Sequence, residues 1–151
     1  MKILFLDIDG VVLPGRAYGI PGQTHPIVKK FDPCAVALLN AICEQAGYKI
    51  VIHSSWLRYY AENLPGTVKD HCVEQGIKEE LFHEDPHCLG TIHWRYDRVD
   101  EWLSRHPEVT EFVILDDEPC LEGWVWASRL INTDFDEGIT VEIYRRLTTV
   151  K

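Results

Sequence analysis

The sequence predicts a single three-layer α/β domain, a doubly wound parallel sheet with helices on both faces. Short apolar or β-branched runs alternate with longer stretches of helical periodicity, the pattern of βαβ units. Three of those runs end in polar residues capable of chemistry: Asp7 and Asp9, Ser54 and Ser55, Asp116 and Asp117. At 151 residues the chain suits one domain, 1–151, with a buried core.

The first strand is expected at residues 3–6, where Ile3, Leu4, Phe5 and Leu6 read as a strand buried on both faces. Asp7, Asp9 and Gly10 follow at its C-terminal end. Residues 14–31 then form a long irregular connection, punctuated by Gly15, Pro21, Gly22 and Pro26. Leaving a carboxylate-bearing strand end, this connection is a candidate flap over a site. Asp32 and Pro33 make a helix start, as N-cap and first residue. Ala35, Leu38, Leu39, Ile42 and Ala46 continue at helical spacing until Gly47 stops the run. Residues 48–53 form the second strand, completing a βαβ unit with a right-handed crossover.

Weaker helices are expected at 57–64 and 67–75, a short edge strand at 81–82, and a loop at 83–92 containing Pro86 and Gly90. Residues 98–105 read as a helix with Val99, Trp102 and Leu103 buried, closed by Pro107. An apolar strand at 111–115 ends in Asp116 and Asp117, and 130–132 is the last strand. Thr140 caps a C-terminal helix that covers Val141, Ile143 and Leu147.

Composition narrows the function. No apolar stretch reaches the length of a membrane span and the N-terminus reads as a strand, so a cytoplasmic protein with no membrane partner is expected. A net charge of -9 weighs against a surface built throughout for nucleic acid, although Arg95, Arg98 and Arg105 cluster in sequence. The same charge suits a site that collects a cation. Cys34, Cys43, Cys72, Cys88 and Cys120 include no CxxC pair and read as free thiols. His71, Cys72, His83, His87, Cys88 and His93 match no standard zinc spacing.

Residues two apart in a strand point the same way, so Asp7 and Asp9 are expected to project together. Two carboxylates so close need a shared proton or a hard divalent cation with oxygen ligands. With Mg2+ bound, one Asp can act as nucleophile while its neighbour transfers protons. The plain alternative is an Asp-Gly turn with solvated side chains. In a parallel sheet, however, all three polar strand ends share one edge, where ligands bind. Ser54 and Ser55, with nearby backbone N–H groups, can hold phosphate oxygens. Asp116 and Asp117 can add oxygen ligands to Mg2+. Phosphoryl transfer also needs a cation for the transferred group, for which Arg95 is the first choice and Arg98 the reserve.

These residues carry a family resemblance. DIDGVV at Asp7, KIVIHS ending at Ser54, Arg95, and ILDDE with Asp116 and Asp117 resemble the four motifs of the haloacid dehalogenase-like (HAD) hydrolase superfamily. More narrowly, HSSW, the arginine seven residues before a Trp-Leu pair, VILDDE and TDFDEGIT are similar to HAD domains of the Swiss Army Knife RNA-repair group. The resemblance implies a HAD-like Rossmannoid fold and an end-processing phosphatase. It implies that Asp7 forms an aspartyl-phosphate and that Asp9 serves as acid and then base. It implies that Asp7, the backbone carbonyl of Asp9 and Asp116 bind Mg2+, with Ser54 and Arg95 on the phosphate; Asp117 remains a further metal candidate, and Ser55 and Gly10 further phosphate-binding candidates. HSSWLR departs from the SSSWR frequent among closer members, which leaves Arg58 without an assigned role.

Family caps are inserted after the first motif or between the second and third, and neither gap here holds a full domain. An open site admits a bulky phosphorylated partner such as a polynucleotide end. A small-molecule phosphatase or nucleotidase is the alternative within enzymes. A phosphate-binding or phosphoacceptor regulatory module is the alternative outside them, although Ser54 stands where a receiver domain carries its phosphorylated Asp.

Overall fold

The computed structural model describes residues 1–19, 30–89, 95–119 and 123–149, the side chains of residues 95–97 excepted. Its sheet is built outward from β1 (Lys2–Leu6), which pairs in parallel with β2 (Tyr48–Ile52) on one side and β4 (Glu111–Asp116) on the other. β3 (Phe82–His87) and β5 (Leu130–Asn132) complete the order β3-β2-β1-β4-β5, all parallel. Leu6 lies opposite both Ile52 and Leu115. Asp7, His53 and Asp116, each one residue further along, therefore stand abreast at one rim. The ladder bonds continue past the strand ends: Asp7 N–H donates to the Leu115 carbonyl and His53 N–H to that of Leu6, at 3.0 and 2.7 Å.

Alternation along the strands divides the core between two faces. Ile3, Phe5, Val51, Phe112 and Ile114 face α4 (Arg95–Ser104) and its buried Val99 and Trp102. Leu4, Leu6, Ile50, Ile52, Leu115 and Ile131 face the other way. There they meet α1 (Pro33–Ala46), α2 (Trp56–Asn63), α3 (Val68–Glu74) and α5 (Val141–Thr148). The result is the expected three-layer doubly wound domain. Among the described residues no helix is long and apolar enough to cross a membrane.

The helix signals act as expected in α1. Asp32 accepts from Cys34 N–H at 2.8 Å and from Ala35 N–H at 3.4 Å, and Gly47 closes the helix at φ 77°. Thr140 caps α5 by accepting from Ile143 N–H at 3.3 Å. Val141, expected to be covered, is instead 47% exposed, and the face of α5 that packs against the core is made by Ile143, Tyr144 and Leu147. Helix α4 begins at Arg95 rather than Arg98, and its Leu103 is half-buried.

The expected loop at 83–92 is corrected more substantially, because β3 runs from Phe82 to His87. Ile50 pairs with Phe82 and Ile52 with His87, so β3 carries a bulge that absorbs the surplus residues. Within it Asp85 N–H turns to its own strand's His83 Nδ1, at 3.0 Å. An edge strand with a bulge tolerates the polar residues and Pro86 that hide FHEDPH from a propensity reading. Of the candidate flap, residues 15–19 form a 3-10 helix, Gly15–Gly19, and residues 20–29 lie outside the described residues, as do His93 and Cys120. Cys34 is exposed, and Cys43, Cys72 and Cys88 are buried free thiols.

Candidate active site

Asp7 is 2% exposed and Asp116 0%, and Asp117 is half-buried beside them. One carboxylate oxygen from each lies within 4.8 Å of the others. Asp116 is fixed by Glu118 N–H, which donates to its Oδ1 at 2.9 Å. Gly10 makes the approach of Asp117 possible. It has φ 73°, and a Cβ there would fall 2.5 Å from Asp117 Cγ, so any other residue would be strained and would displace the Asp117 side chain. Its N–H donates to the Leu13 carbonyl at 2.8 Å, so Gly10 serves by close packing and its N–H is not directed at a phosphate. Thr133 Oγ1 donates to the Gly10 carbonyl at 2.7 Å and ties the loop to the end of β5.

Asp9 does not join this group, because strand alternation ends before it. β1 ends at Leu6, and beyond it the Ile8 carbonyl accepts from Val11, Val12 and Leu13 N–H, curling the chain tightly. The Asp9 carboxylate is instead held by two donors. The Tyr18 hydroxyl donates to its Oδ1 at 2.5 Å, and Trp56 Nε1–H donates to its Oδ2 at 2.8 Å. Burial, the bond to Asp9, and the charges of Asp9, Asp7 and Asp117 all push the Tyr18 pKa far up, so its hydroxyl keeps its proton.

Ser54 is 1% exposed, and its Oγ accepts from Trp56 N–H at 3.2 Å, which leaves the hydroxyl proton free to donate onward. Ser55 is exposed at the start of α2. His53 is buried beneath the site with Nδ1 3.8 Å from Asp116 Oδ2. Arg95 opens α4, but its side chain lies outside the described residues, and Arg98 is half-buried one turn on. The structure thus joins Asp7, Asp116 and Asp117, and sets Asp9 apart. Sequence reasoning missed Tyr18, Trp56, His53 and Thr133. Trp56 carried a signal, directly after the serine pair, whereas Tyr18 sits in an irregular connection with no pattern to single it out.

The carboxylate trio fits Mg2+. Three buried or half-buried oxygen-only side chains converge, and their mutual repulsion is what a hard divalent cation relieves. A second cluster at the opposite rim, His83, His106 and Glu108, also gathers within 4.8 Å. There the Asp85 N–H donates to His83 Nδ1, which places the ring proton on Nε2, the nitrogen 3.7 Å from Glu108. A nitrogen carrying a proton is no ligand, and this cluster does not fit a cation.

A family model described as the HAD domain in Swiss Army Knife RNA repair proteins matches residues 3–143, a span that contains every site residue named above. No curated protein and no solved structure gives a significant match.

Proposed function

Because this chain belongs to the family of HAD domains in Swiss Army Knife RNA repair proteins, and so to hydrolases of the phosphatase type, we propose that it is a Mg2+-dependent phosphomonoesterase. The observation that carries this reading is the separation of two carboxylates from one loop into different environments. Asp7 lies buried with Asp116 and Asp117, while both oxygens of Asp9 are held by neutral donors. Pairs of acids so divided commonly take different roles.

In this reading an Asp7 carboxylate oxygen attacks phosphorus and the ester oxygen departs, taking a proton from Asp9. A water molecule then attacks the phosphorus of the aspartyl-phosphate and gives its proton to Asp9, and the bond to Asp7 breaks to release phosphate. Ser54 donates to a phosphate oxygen, Ser55 and Arg95 are the further phosphate contacts, and Asp116 positions the trio from the end of β4. Asp7, Asp116 and Asp117, with the Asp9 carbonyl, would hold Mg2+. When bound, the ion supplies positive charge to the phosphoryl oxygens.

The test is hydrolysis of p-nitrophenyl phosphate with and without Mg2+. Turnover is expected only with the metal, and Asp7→Asn is expected to lower it on the order of 10³-fold or more. Turnover in Asp7→Asn equal to that of the unaltered protein would remove Asp7 as nucleophile.

A further inference from the structure

The two donors on Asp9 differ in kind. An indole N–H can only donate, whereas a phenol can donate or accept. Trp56 is also held from several sides. It is 4% exposed, its own N–H is bonded to Ser54 Oγ, and its ring packs against Phe31 and His71 with centroids 6.0 and 5.5 Å away. Tyr18 differs in burial and in chemistry. It is half-buried at the site's margin, its ring tilted against Phe135 at 6.0 Å. Asp9 therefore has on Oδ2 a buried partner that can only donate and on Oδ1 a partner that can donate or accept.

We propose that Trp56 and Tyr18 are positioning residues that aim the Asp9 carboxyl at the leaving-group oxygen, Trp56 as fixed anchor and Tyr18 as reversible partner. The permanent donor at Oδ2 confines the exchangeable proton to Oδ1. When Oδ1 is bare, the Tyr18 hydroxyl donates to it; when Oδ1 is protonated, the hydroxyl accepts from it until the ester oxygen arrives, and the proton then turns from Tyr18 to that oxygen. In the first half-reaction the Oδ1–H bond breaks and an O–H bond forms on the ester oxygen as that oxygen leaves phosphorus. In the second, a proton of the attacking water returns to Oδ1 as its oxygen bonds to phosphorus. The inference rests on the phosphatase reading above.

Leaving-group chemistry separates positioning from mere packing. p-Nitrophenolate leaves without protonation, whereas an alkoxide needs the proton from Asp9. The comparison is kcat/KM, which covers steps through leaving-group departure, for p-nitrophenyl phosphate and for glycerol phosphate with Mg2+ present. Trp56→Phe keeps an aromatic ring and removes the donor; Tyr18→Phe does the same at a position less embedded in the core. In each variant the ratio of glycerol phosphate to p-nitrophenyl phosphate kcat/KM is expected to fall about tenfold or more, a part of the roughly 10²–10⁴-fold that general-acid catalysis contributes. Asp9→Asn is expected to lower the same ratio, and adding Trp56→Phe to it to lower the ratio no further.

Proportional loss on both substrates in both variants, or no loss in either, overturns the positioning role. If Trp56→Phe fails to fold, the ratio in Tyr18→Phe decides alone. Absence of p-nitrophenyl phosphate hydrolysis in the unaltered protein is a different result, and it refutes the phosphatase reading itself.

Discussion

Asp7, Asp116 and Asp117 carry opposite consequences for stability and for function. Removing an ionised carboxylate from water costs several kcal/mol, and like charges nearby add to that cost. The fold accepts it because Asp116 ends a central strand and receives the Glu118 N–H, and because Gly10 leaves room for Asp117. Asp117→Asn removes one of the three charges. It is expected to raise the melting temperature of the metal-free protein and to cancel most of the further rise that Mg2+ gives the unaltered protein. That rise corresponds to about 2.7 kcal/mol at a hundredfold excess over Kd. Calorimetric scans with EDTA and with Mg2+ check both effects, and a melting temperature indifferent to Mg2+ in the unaltered protein counts against the cation site.

At the scale of elements, α1 shows how the site's neighbourhood is tied down. Its cap, Asp32, also pairs with Arg16, which in turn donates to the Glu137 carbonyl at 2.8 Å. One carboxylate therefore joins the helix start, the 3-10 turn that carries Tyr18 and the segment after β5. Burial works to raise the Asp32 pKa, but the Arg16 hydrogen bond, the Cys34 and Ala35 N–H groups and the Arg16 charge outweigh it and hold the pKa below 3.8. A depressed folded pKa contributes stability above the unfolded value, and that contribution is lost as pH falls through the folded one. Asp32→Ala is expected to cost about 1–2 kcal/mol at neutral pH, the loss of a cap. The difference from the unaltered protein should narrow as the pH drops below 3.8. Urea midpoints measured across that range test it, and a pH-independent difference would show the charge to be irrelevant.

Elements were legible in the sequence wherever the signal is local. The caps of α1 and α5 and the strands β1, β2, β4 and β5 lie where periodicity and capping chemistry put them. β3 was foreshortened because its residues suit an edge strand with a bulge, and a pairing partner distant in sequence sets that state.

Across the whole molecule, the five parallel strands put the ends that carry Asp7, Ser54 and Asp116 on one rim. The connection after β1 holds the 3-10 turn Gly15–Gly19, with residues 20–29 outside the described ones, and that after β2 holds α2, α3 and β3, all part of the core layers. Neither connection is long enough to hold a cap domain. An uncapped rim sets no upper limit on the size of a phosphomonoester, while the net charge of -9 disfavours long polyanions. The expected outcome is that a 3′- or 5′-phosphorylated short oligonucleotide is hydrolysed with kcat/KM at least equal to that of the matching mononucleotide. A panel of nucleotides, sugar phosphates and oligonucleotide ends measures this, and a clear preference for the free compounds would assign the protein to small-molecule chemistry.

The sequence by itself determined the layer architecture, the common rim of the polar strand ends and the family, because hydrophobic period, helix caps and short motifs are all written in neighbouring residues. Only the tertiary structure decided which carboxylates share the buried point and which one is held away from it. The partners of Asp9 lie 9 and 47 positions off, and past the last residue of a strand no periodicity fixes where a side chain turns. That direction is settled by which donors the folded chain brings within reach.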